Sequence, residues 1–199
     1  SIADLRCEYL DTPLTIDHPQ PRLSWRLCSE ERGVRQTAYQ ILVATSPEKL
    51  ESNAIDLWDS GRVQSRETMN IVYAGSPLES RMQCFWKVIV WCRAGESIRS
   101  ESEIAHWSMG LLKESDWQAE YISYLDDSPI FTSNTELFLP PAHQFRKEFA
   151  STEGPIRRAR LYATALGIYE LYLNGQRVSD HWFAPGWTDY NQRAYYRAY

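Results

Sequence analysis

Phe85-Trp86-Lys87-Val88-Ile89-Val90-Trp91 is the stretch on which the fold turns. Apart from Lys87 it is β-branched or aromatic throughout, the composition that fits a pleated, buried surface, and it predicts a central strand. Cys84, Trp86, Val88 and Val90 recur at period two and predict its inward face. Working outward, Arg22–Leu27 alternates apolar and polar residues. Tyr39–Ala44 and Ile71–Tyr73 are further β-rich runs, and Ser102–Met109 predicts a last strand. Ser46-Pro47, Ser60-Gly61, Gly75-Ser76-Pro77 and Ala94-Gly95 punctuate them as turns. Only Glu48–Ser52 hints at a helical turn. Short strands at this spacing predict a β-sandwich.

Leu78 followed six residues later by the inward-facing series resembles the fibronectin type III pattern around its tyrosine corner. Cys84 stands where that pattern has tyrosine, so no phenol there can make the corner hydrogen bond. Trp25 takes the place of the core tryptophan of the second strand. The resemblance is to an atypical member of the class.

A second module follows a connection. Lys113-Glu114-Ser115-Asp116-Trp117 reads as a capped turn docking one module on the next. Ser128-Pro129 and Pro140-Pro141 keep residues 126–143 from being a regular element. Beyond Phe145, Arg157–Thr164 alternates, Gly167 breaks the run, and Tyr169–Leu173 and Gln176–Val178 flank Asn174-Gly175. Asn-Gly between two strand-like runs predicts a type I′ hairpin, whose central residues both need positive φ. An aromatic, turn-rich loop, Trp182–Asn191, leads to a final strand. The expected domains are a sandwich over 1–112, a linker over 113–144 and the start of a further β-domain over 145–199. A sheet of about 55 residues would leave an unpaired edge, so the chain reads as part of something longer.

Composition narrows the function classes. Hydrophobic residues at 43% and charged residues at 24% belong to a folded globular protein. The net charge of −5, with no basic run beyond Arg157-Arg158 and nearby Arg160, argues against nucleic acid as a partner. No apolar run approaches the roughly 20 residues of a membrane-spanning helix. Charge and cysteine usage fit cytoplasm and periplasm alike. The four cysteines form no C-x-x-C pair, against a structural zinc site. Cys84 and Cys92 share one strand and lie roughly 26 Å apart, too far to bridge. Cys7 and Cys28, on successive strands, remain able to meet; each equally suits a buried hydrophobic position.

At this point the chain resembles bacterial α-L-rhamnosidases of glycoside hydrolase family 78. Leu5–Leu10, Pro21–Trp25, Gln36–Ile41, Asp56–Gly61, Trp86-Lys87-Val88, Gly110-Leu111-Leu112 and Asp116-Trp117 carry the likeness in the first half. Leu166–Gly175 and Ala184–Tyr190 carry it in the second. The likeness runs in order along nearly the whole chain. It implies a fibronectin-like sandwich followed by a jelly-roll domain similar to galactose-binding folds, which in some relatives binds rhamnose with calcium. It also implies an (α/α)₆ catalytic barrel further along the polypeptide. Inverting hydrolysis there needs two carboxylates roughly 6.5–9.5 Å apart around a water. No catalytic residue is expected in this chain.

Trp187, Asp189, Tyr190 and Asn191 are the candidate sugar-binding residues. A pyranose offers its apolar face to an aromatic ring and its hydroxyls to carboxylate or amide groups. The competing reading makes Pro185-Gly186-Trp187 a packed corner and Asp189 a turn cap. Asp180 and His181 read as solvated loop residues. Asp126-Asp127 could join a calcium site, but regular ligand spacing is absent, and no cofactor or metal is expected. His18, His106, His143 and His181 are too scattered for a catalytic constellation, and Glu101 and Glu103 read as water-facing. The expected partners are a rhamnose-containing glycan or glycoside and the downstream barrel. The alternatives are a stand-alone carbohydrate-binding module and a structural spacer.

Overall fold

The computed structural model describes residues 1–94, 96–124, 131–133, 136–137, 142–151 and 154–199. Two antiparallel sheets face each other in its first half. One joins β1 (Ile2–Cys7), β2 (Arg22–Leu27) and β5 (Ile71–Val72) in the order β1-β2-β5. The other runs β4-β3-β6-β7, from β4 (Trp58–Asp59), β3 (Arg35–Ala44), β6 (Gln83–Ala94) and β7 (Glu96–Glu101). A fifth strand, β8 (Ala105–Ser108), pairs with the opening residues of β6. The expected β-sandwich is present.

The expected central strand is β6, and alternation decides what it buries. Cys84, Trp86, Val88, Val90 and Cys92 point between the sheets, against Tyr39, Ile41 and Val43 of β3 and Leu23 and Trp25 of β2. Trp25 is in the core; its Nε1–H donates to Gln36 Oε1 at 3.1 Å, and Gln36 in turn donates to the carbonyls of Ser65 and Glu67. The opposite face of the sheet is also apolar. Leu42, Ala44 and Ile89 are covered there by Leu50 of a single helical turn, α1 (Pro47–Glu51), whose N-cap is Ser46. That second cover explains why Phe85, Ile89 and Trp91 are apolar on the outer face of β6.

A different buried phenol lies close to Cys84 in this core. Tyr73, at the end of β5, is 1% exposed, and its hydroxyl donates to the Ser76 carbonyl at 2.8 Å. It packs edge-on against Trp58 and Trp107. Burial pushes the Cys84 thiol up to about 12 and keeps it a neutral core residue.

One open pairing is settled and one expectation needed correction. Cys7 and Cys28 do not meet: the antiparallel register sets Cys7 opposite Leu23 and Ile2 opposite Leu27, so the cysteines sit at opposite ends of one ladder, and all four thiols are free. The last strand begins at Ala105, not Ser102, and a separate β7 precedes it. Ser102 breaks the edge by donating its N–H to the Val88 carbonyl and accepting the Val88 N–H on its hydroxyl. Gly95, half of the expected Ala94-Gly95 turn, lies outside the described residues.

Past a 3₁₀ turn (Glu114–Asp116), strands are short: β9 (Phe131–Ser133), β10 (Glu136–Leu137), β11 (Tyr162–Thr164), β12 (Tyr172–Leu173), β13 (Gln176–Arg177) and β14 (Tyr196–Ala198). The alternation over Arg157–Thr164 yields only β11, which pairs with β14. The β12–β13 hairpin turns through Asn174 and Gly175 with φ of 51° and 79°, the signs of a type I′ turn. Ser128-Pro129 and Pro140-Pro141 lie outside the described residues.

The capped turn does dock the two halves. Asp116 accepts the Lys113 N–H and the Ser80 hydroxyl, and Trp117 packs 6.0 Å from Tyr196. The Tyr196 hydroxyl accepts the Leu111 N–H at 2.9 Å. Gly110 leaves room for that hydroxyl, since a β-carbon there would collide with it. Among the described residues, no helix is long and apolar enough to cross a membrane.

Candidate functional site

Buried Ala184 anchors the aromatic loop, its carbonyl accepting the Tyr169 N–H at 2.8 Å. Pro185 is buried beside it, and Gly186 turns the chain outward with φ of 115°. Trp187 therefore stands 87% exposed, so it is not part of a packed corner.

Asp189 does cap a turn. Its Oδ1 accepts the Asn191 backbone N–H at 3.0 Å and the Asn191 Nδ2 at 3.2 Å, while its carbonyl accepts from Gln192 and Arg193. Arg193 Nε closes the loop on Thr188 Oγ1 at 3.0 Å. Asp189 and Asn191 are thus brought together, both exposed. Tyr190 turns the other way, its hydroxyl buried without a partner among the described residues. The four candidates lie on one hydrogen-bonded loop, but only Trp187 offers an open aromatic face.

Sequence reasoning missed a second aromatic group beside them. Trp182 is 67% exposed and Phe183 72% exposed. Arg177, on β13, stacks 3.9 Å from the Trp182 ring centre and donates to Glu170 Oε1 and the His181 carbonyl. Tyr172 donates to the other Glu170 oxygen at 2.9 Å, which pushes the Tyr172 phenol up. The available signal was the hairpin itself, whose return strand aims Arg177 at the loop. Asp180 is fully solvated and His181 shares a hydrogen bond with Ser179, as loop residues would.

Other polar groups are committed to structure. Glu101 pairs with Lys87 and Arg99, and the Lys87 hydrogen bond lowers its carboxyl below the usual range. His106 packs on Phe85 in β8. Among the described residues no three His, Cys, Asp or Glu side chains cluster as metal ligands. Asp126-Asp127 lie outside the described residues.

Residues 2–113 match the family described as the Rha78A-like, N-terminal immunoglobulin domain. Residues 154–199 match the α-L-rhamnosidase N-terminal domain. An α-L-rhamnosidase of Formosa agariphila is 35% identical over 187 residues, covering 94% of this chain and 20% of that protein. The structure of α-L-rhamnosidase from Dictyoglumus thermophilum superposes on the whole chain with a TM-score of 0.82 at 33% identity, over 23% of its own length. Streptomyces avermitilis α-L-rhamnosidase complexed with L-rhamnose matches 62% of this chain and 12% of its own, with a TM-score of 0.57 at 39% identity. The chain thus spans about a fifth of the curated relative's length. It belongs to the α-L-rhamnosidase family, which it matches in that family's N-terminal immunoglobulin domain and N-terminal rhamnosidase domain.

Proposed function

We propose that this chain serves an α-L-rhamnosidase as its non-catalytic N-terminal part, bracing a catalytic barrel on the same polypeptide and presenting a sugar-recognition rim at Trp187. In this reading 1–112 is the sandwich, 113–144 the connection and 145–199 the opening of a jelly-roll domain. The enzyme as a whole would remove terminal α-L-rhamnose with inversion. The carrying observation is the 87% exposure of Trp187 on a loop fixed from both sides. An indole held open to water is a ready platform for the C–H face of a pyranose, and Asp189 and Asn191 lie within a few residues to meet hydroxyls.

The bracing role has its own support. Leu166, Ile168, Leu173 and Phe183 are exposed. Such a surface is suited to being covered.

Calorimetric titration of the chain with L-rhamnose, with and without calcium, tests the rim. Saturable heat that disappears in Trp187→Ala is expected. No heat at millimolar sugar, or equal heat in the variant, removes sugar recognition from this loop and leaves bracing alone.

A further inference from the structure

The seam between the two halves gathers positive charge. Gln83 and Ser108 are directly opposed in the β6–β8 ladder. Arg158 donates to the Gln83 side-chain oxygen, and Arg160 Nη2 donates to Ser108 Oγ at 2.9 Å. Two guanidiniums therefore hold cross-strand neighbours, residues whose Cα atoms sit roughly 5 Å apart. Arg81 joins them, with its guanidinium 5.9 Å from the centre of the Tyr162 ring. Arg160 and Tyr162, two residues apart, both turn towards the sandwich.

None of these three arginines is ion-paired among the described residues; their recorded hydrogen bonds go to Gln83, Ser108 and the Asp116 carbonyl. The Asp116 carboxylate near Arg81 is already engaged by Ser80 and Lys113. Two buried atoms in the seam, Arg160 Nη1 and Tyr162 Oη, have no hydrogen-bond partner among the described residues. Folded proteins leave few such atoms, and each calls for an occupant. A water can satisfy a donor but brings no charge to the half-buried Arg160 guanidinium. An oxyanion accepts from the guanidinium and the phenol together and supplies the missing charge.

We propose that Arg81, Arg158, Arg160 and Tyr162 form a binding site for one small oxyanion, which fastens the second segment to the sandwich. The same chemistry fits a free inorganic anion or a carboxylate side chain from elsewhere in the polypeptide. Thermal melting of the full chain tests this, with inorganic phosphate, sulfate and acetate each titrated at ionic strength held constant with chloride. A saturable rise of about 3–6 °C at ten times Kd is expected. The rise should vanish in Arg160→Ala and need at least tenfold more anion in Arg158→Gln. Saturation by phosphate and sulfate identifies a free anion; saturation by acetate alone identifies a carboxylate. Arg158→Gln carries the test if Arg160→Ala does not fold, because its exposed side chain adds little to folding. A flat response to all three anions, or an equal rise in every variant, overturns the site; the latter is the general effect of excluded salts.

Discussion

The sandwich and the segment after it use similar residues to opposite effect. In the first, alternation along β2, β3 and β6 aims every second side chain into a core where Trp86, Trp107, Tyr73 and Leu23 are fully buried. In the second, alternation is just as plain in the sequence, yet beyond Met109 the buried positions among the described residues are Gly110, Ala184 and Pro185. Among the described residues, all four buried side-chain polar atoms without partners also belong to it: Arg160 Nη1, Tyr162 Oη, Tyr190 Oη and Arg197 Nε. A period of two says which side chains want cover. It does not say whether the chain at hand contains the cover.

The sharpest way to break this comparison is to damage the core that exists. Trp86→Ala removes a fully buried indole flanked by Trp107. It should cost about 3–5 kcal/mol, measured as a lower urea midpoint for the sandwich transition. An equal truncation on the other side, Phe183→Ala, should move stability by less than about 0.5 kcal/mol, because that ring is 72% exposed. Similar losses at the two sites would mean that the second segment has a core after all.

A smaller effect is expected where the two halves join. Gly110→Ala drives a β-carbon into the Tyr196 hydroxyl. Tyr196→Phe only deletes the bond to Leu111 and should cost about 1 kcal/mol. Hydrogen exchange at Leu111 should quicken in both variants, and more in Gly110→Ala, while β3 amides stay protected. Loss of β3 protection in Gly110→Ala would make the halves one cooperative unit.

This seam marks where the sequence stopped being readable. The β6 strand and the Asn174-Gly175 hairpin were legible because their signals are local, a periodicity and a turn dipeptide, and Glu48–Ser52 already hinted at the α1 turn. β7 was not, since Glu96-Ser97-Ile98-Arg99-Ser100-Glu101 holds one apolar residue and is a strand only because β6 offers it an edge. Whether Cys7 and Cys28 meet stayed open in the sequence for want of a register. Tyr196 lies 85 residues from Leu111, and no spacing rule links them. In the loop, the turn-capping role of Asp189 follows from Asx chemistry, whereas the open face of Trp187 depends on which neighbours bury Ala184 and Pro185.

Acid offers the mildest test. Asp56 accepts from Lys49 Nζ, the Thr45 hydroxyl and the Thr45 N–H. Burial opposes its ionisation, but those bonds prevail and hold the carboxyl at about 2, against 3.8 ordinarily. A group depressed on folding stabilises above its unfolded value and loses that contribution as pH falls through its folded value. The sandwich should therefore weaken between about pH 4 and pH 2. Asp56→Asn should lower stability by about 1 kcal/mol at pH 7 and flatten that part of the acid profile. An unchanged slope in the variant would assign acid lability to Glu8, which Arg22 depresses, or to Glu101 instead. All three carboxylates belong to the sandwich, so acid should loosen the half that has a core while the exposed Trp187 loop keeps its fluorescence.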